Sequence, residues 1–121
     1  MSALSGRTLI FAAGLCGAAG VALSAAAAHV VGGNLGTAAN FLLMHAPAFL
    51  AIGLLGQRQW ITSAGYVLLL GVVVFCGDLV ARETIGQRLF PMAAPAGGIL
   101  MILGWLAIAI TGFAERTMGG R

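Results

Sequence analysis

Ala25–Phe49, AAAAHVVGGNLGTAANFLLMHAPAF, is the stretch whose reading decides the fold. Two apolar runs meet across a short Gly/Asn turn, and each carries one of the chain's two histidines, His29 and His45. Glycine and asparagine between long apolar runs are stop and turn signals for helices. The flanking runs are too long for strands and carry no charge, so the stretch reads as the bend of a transmembrane helical hairpin.

The sequence outside this stretch has the same character. The 121 residues are 60% hydrophobic and only 7% charged, with a mean hydropathy of +1.04, whereas soluble domains carry about a quarter charged residues. The polar connections are too short to fold into a domain of their own, so any function lies inside the membrane, at its surfaces or in a partner. The formal +3 charge comes from six scattered arginines. They form no basic block of the kind that nucleic acid requires, which excludes that class of partner. Cys16 and Cys76 each fall within an apolar run and read as two buried free thiols.

Four spans account for the chain, at approximately residues 8–31, 38–56, 62–85 and 93–113. At ~1.5 Å per residue each crosses, or nearly crosses, a hydrocarbon core of ~30 Å. Gly86 is placed to stop the third helix, and Pro91 and Pro95 suit the start of the fourth. The expected fold is all-α, a single four-transmembrane-helix bundle over residues 1–121. Arg7, the following apolar run and SAAAA before His29 imitate a secretory signal, but the run exceeds the usual apolar region of ~7–15 residues and is read as a span.

With four spans both termini share one side, which collects Arg7, Arg58, Arg116 and Arg121. The other side has Arg82 and Arg88, accompanied by Glu83. The positive-inside rule therefore places both termini in the cytoplasm and the histidine-bearing helix ends outside. On the first helix Ala13, Gly17, Gly20, Ser24 and Ala28 recur at spacings of three and four and make a smooth stripe. It serves either a close contact within the bundle, which four spans favour, or a dimer face. Gly97 and Gly104 indicate close packing of the fourth helix.

Polar groups in hydrocarbon cost about 2.5–3.5 kcal/mol for an aspartate at a helix centre, so each needs a partner or a purpose. The candidates are His29, His45, Asp78 and Arg82. Counted from the expected outer helix ends, His45 and Asp78 both lie roughly 10 Å deep, and His29 and Arg82 form a shallower level. Asp78 and Arg82 have the i, i+4 spacing of an ion pair. Pro47 cannot donate to the carbonyl of Leu43, which predicts a kink and a free acceptor beside His45.

Two readings of this outer-side cluster follow. It is a clasp between helices, with His45 bonded to Asp78 and Arg82 neutralising the carboxylate, or it is a protonatable site or the head-group socket of a lipid or quinone. Haem ligation by both histidines is disfavoured by their difference in depth, about four residues or roughly 6 Å. The ligand spacing fits no metal site, and Arg82 would repel a cation. No cofactor is expected, and no nucleophile elbow, phosphate loop or paired-carboxylate arrangement indicates an enzyme. The leading expectation is a non-enzymatic protein that binds a membrane-protein partner, a second copy or lipid. The alternative is a small transporter or proton conductor that uses His45 and Asp78.

Four pieces of the chain, AAAAH at 25–29, TAANFLLMHAPAF at 37–49, FCGDL at 75–79 and APAGGILMILGWL at 94–106, together resemble the DUF423 family of small bacterial membrane proteins, related to the eukaryotic transmembrane protein 256. The resemblance implies four transmembrane helices in a bacterial inner membrane and an activity that is uncharacterised. His29, His45, Gly97 and Gly98 match the family pattern. Asp78 departs from it, since a small hydroxyl residue is common there.

Overall fold

A computed structural model describes residues 2–30, 33–55 and 58–119, and side chains over 6–30, 33–55 and 58–114. It contains α1 (Ser2–Ala27), α2 (Asn34–Leu55), α3 (Gln59–Thr84) and α4 (Ala93–Gly119), all α-helical. Each contains a stretch long and apolar enough to cross a membrane: Gly6–Ala27, Asn34–Leu55, Gln59–Thr84 and Ala93–Ala114. At ~1.5 Å per residue the shortest of these, 22 residues, reaches about 33 Å.

The helix ends differ from the sequence expectation. The expected ends at Val31 and Gly56 lie outside the described residues, as do the side chains of Arg116 and Arg121. α1 stops at Ala27, where the amides of Ala28, His29 and Val30 turn to carbonyls three residues back, at 3.3, 3.0 and 3.4 Å. This tightened last turn is a usual helix ending. α2 begins four residues earlier than expected, because Asn34–Thr37 form its first turn and Thr37 N donates to Gly33 O at 2.9 Å. α3 ends as anticipated. Ile85 caps it through a bond to Ala81 O, and Gly86 follows at φ +72°, a conformation that glycine adopts without a side-chain penalty.

Neighbouring helices run antiparallel, and their seams are lined by glycine. Gly17 faces Ala46, and Gly20 faces Leu43. Gly53 faces Gly6 and Ile10, where an added Cβ would stand 2.7 Å from Gly6 O. On the other side of the bundle Gly71 and Gly97 interlock: a Cβ on Gly97 would lie 2.6 Å from Phe75 N, and one on Gly71 would lie 2.7 Å from Met101 N. Gly104 rests on Leu68. The anticipated stripe on α1 is thus an internal seam over Ala13, Gly17 and Gly20, but it does not extend further. Ser24 and Ala28 are exposed, and the half-buried positions beyond Gly20 are Leu23 and Ala27, because the period of 3.6 drifts off a strict i+4 row.

α3 is the central element. It packs against α2, α4 and, more lightly, α1, while α1 packs mainly on α2. Among the described residues α4 approaches only α3 at backbone distance. The core comprises Leu9, Ala13, Cys16, Ala38, Phe49, Ile52, Leu68, Val72, Cys76, Leu79 and Met101. Large apolar side chains such as Phe11, Leu54, Leu70, Ile110 and Phe113 point outward. That outward apolar surface would be a liability in water and is what a bilayer accommodates.

Candidate functional site

Asp78 is fully buried near the end of α3. One carboxylate oxygen, Oδ1, accepts a hydrogen bond from the backbone amide of Leu89 at 2.9 Å, which ties the α3–α4 connection to the helix. The other, Oδ2, stands 2.8 Å from Arg82 Nη2, so the i, i+4 ion pair forms. That contact is Coulombic and not aligned as a hydrogen bond, and neither Asp78 Oδ2 nor Arg82 Nε has an aligned partner among the described residues. The carboxylate is fully buried and the Arg82 side chain 29% exposed, so removing the arginine would strand a buried charge.

His45 lies elsewhere. The register between α2 and α3 is set by Cys76 Sγ, which meets Ala38 O at 3.6 Å, and His45 is seven residues further along α2. It is therefore about 10 Å deeper than Ala38, on the far side of that level from Asp78. The early start of α2 accounts for four residues of this separation, about one turn, and the rest comes from the register that sets Ala38 beside Cys76 and not beside the end of α3. The expected His45–Asp78 clasp is absent among the described contacts.

The partner of His45 is Trp105 on α4. Its indole Nε1 donates to His45 Nε2 at 3.1 Å, and His45 Nδ1 lies 2.8 Å from the carbonyl oxygen of Phe41. Indole nitrogen only donates, so Nε2 accepts, and Nδ1 must carry the hydrogen that reaches Phe41 O. The ring thus sits in one tautomer with both nitrogens used. Phe41 stacks nearly parallel to it at 6.0 Å, and Phe49 and Trp105 flank it at 6.2 and 5.7 Å. The carbonyl that the ring uses is Phe41's, one turn back on its own helix, and not that of Leu43.

His29 is exposed in the turn after α1. No group of three or more His, Cys, Asp or Glu side chains stands together among the described residues. Sequence reasoning missed two partners. A tryptophan twelve residues into an apolar helix needs an acceptor for its N–H, which was the available signal for Trp105. Leu89 acts through its backbone, which no residue type announces.

Four membrane-length helices, apolar outward and holding a few internally paired polar groups, define a small multi-pass integral membrane protein. Comparison with known proteins agrees. The chain belongs to the DUF423 family, whose model, described as a protein of unknown function, matches residues 16–98. A UPF0382 membrane protein of Staphylococcus haemolyticus is 31% identical over 117 residues, covering 88% of this chain and 96% of its own. The UPF0382 inner membrane protein YgdD of Escherichia coli K12 is 27% identical over 118 residues, covering 88% and 90%. No solved structure matches. The protein is accordingly a multi-pass protein of the bacterial inner membrane.

Proposed function

We propose that this protein works by binding and not by catalysis, engaging membrane lipid or a second membrane protein from within the bilayer. The observation that carries the reading is the state of its interior polar groups. Asp78 is engaged by Arg82 and Leu89, and His45 by Trp105 and Phe41, so the acid–base groups inside the bundle hold structure together. What faces outward is apolar side chain and helix end. A proton path through His45 and Asp78 is the second reading, and it has less support because the two groups lie at different depths, each closed on its own partners.

We further place both termini in the cytoplasm, on the arginine asymmetry. Purification of the full chain in mild detergent, with mass spectrometry of what co-elutes, tests the binding reading. Reproducible enrichment of a lipid class or a protein is the expected result, and a lipid-free, partner-free monomer contradicts it. Proton flux in vesicles that falls to the empty-vesicle level with Asp78→Asn would instead favour conduction.

A further inference from the structure

The connection between α3 and α4, residues 85–92, has an unusual composition for a loop at the end of a bundle. Ile85, Leu89, Phe90 and Met92 are 68, 50, 46 and 63% exposed. Four outward apolar side chains beside a membrane span belong at the head-group boundary and not in bulk water.

The loop is also held in place. Gly86 turns it out of α3 at φ +72°, the Asp78 carboxylate fixes Leu89 N at 2.9 Å, and Ala93 N returns to Phe90 O at 3.1 Å. The side chain of Leu89 packs beside Gly77, where an added Cβ would lie 3.2 Å from Leu89 Cδ1. A buried charge is thus used to anchor the residue adjacent to Arg88. Here Gln87, Arg88, Phe90, Pro91 and Met92 line a depression of about 510 Å³. Arg82 has Asp78 as its counter-charge, whereas Arg88 forms no ion pair among the described residues, Glu83 included.

We propose that this depression binds the phosphate of an anionic phospholipid. The Arg88 guanidinium and the Gln87 amide take the phosphate oxygens, and Phe90, Pro91 and Met92 lie along the glycerol and the first methylenes of the acyl chains. Guanidinium matches phosphate geometry through paired N–H donors. The apolar wall selects a lipid over free phosphate, and the unpaired positive charge selects an anionic lipid over a zwitterionic one. The inference rests on the lipid arm of the proposed function and gives it a location.

Native mass spectrometry of the full chain titrated with phosphatidylglycerol or phosphatidylcholine tests it. Wild type should hold phosphatidylglycerol more tightly than phosphatidylcholine. Arg88→Gln should weaken phosphatidylglycerol about tenfold, the scale of one charge-assisted contact, with an unchanged unfolding midpoint. Arg7→Gln, at the opposite end of the bundle, should bind like wild type. Equal retention of phosphatidylglycerol by wild type and Arg88→Gln overturns this site while leaving lipid binding intact. Failure of all three proteins to retain either lipid overturns both. Displacement of the lipid by millimolar inorganic phosphate, or a co-purified protein that occupies the loop in its place, also overturns the assignment.

Discussion

The hydrogen bond between Trp105 and His45 joins α4 to α2, and a double-mutant cycle gives its worth. His45→Leu removes the acceptor and leaves the indole N–H, which points into the bundle, without a partner. Trp105→Phe keeps an aromatic ring but leaves Nε2 unsatisfied on a histidine that is 2% exposed. Each orphaned group costs on the order of 1–3 kcal/mol. The double variant removes both groups at once, so its loss is smaller than the sum. Interhelical bonds in membranes average about 0.6 and reach about 1.7 kcal/mol in such cycles. Trp105 to His45 is well formed at 3.1 Å in a site closed by Phe41 and Phe49, so a coupling of about 1 kcal/mol is expected. Equilibrium unfolding in mixed detergent micelles, followed by helical circular dichroism, measures all four corners. A coupling within about 0.3 kcal/mol of zero, the ordinary error of additivity, refutes the assigned pairing.

The remaining expectations use the same unfolding assay. Arg82→Ala strands a buried carboxylate and should destabilise by about 3–5 kcal/mol, whereas Asp78→Asn keeps an acceptor for Leu89 N and should cost less. Gly97→Val drives a side chain into the backbone of Phe75 and should cost at least about 1–3 kcal/mol, while Gly98→Val, which meets open space, should be nearly neutral. Equal effects of these two valines would show that the α3–α4 seam is wrongly placed. Gly86→Ala forces a side chain into a left-handed turn and should cost roughly 1–2 kcal/mol.

The sequence made the spans legible because hydrocarbon leaves the backbone few choices: long uncharged runs must be helices, and proline and glycine mark their ends. Within the site it reached as far as Asp78 and Arg82, since i, i+4 geometry is internal to one helix. It failed at His45 because partnership across helices depends on relative depth, which is set by the early start of α2 together with the register that puts Ala38 beside Cys76. The close packing at Gly97 and Gly104 was readable from their size. Gly53 and Gly71, equally tight, carried no separate signal, because nothing in one helix tells which of its glycines faces a neighbour's backbone.

The packing has a further consequence for α4. At backbone distance this helix meets α3 alone among the described residues, along the seam of Gly71, Gly97 and Gly104, where close approach gives many dispersion contacts. Translation along α3 is thereby blocked, because each glycine accepts a specific turn of the opposite backbone. Rotation of α4 about its own axis toward α2 is less constrained by that seam, and the Trp105–His45 bond acts on it directly. The two features therefore have separable effects. Filling Gly97 should undock α4 and lower stability outright, whereas breaking the indole bond should leave α4 docked and change the angle at which its outer face, with Ile102, Leu106 and Ile110, meets the surrounding bilayer.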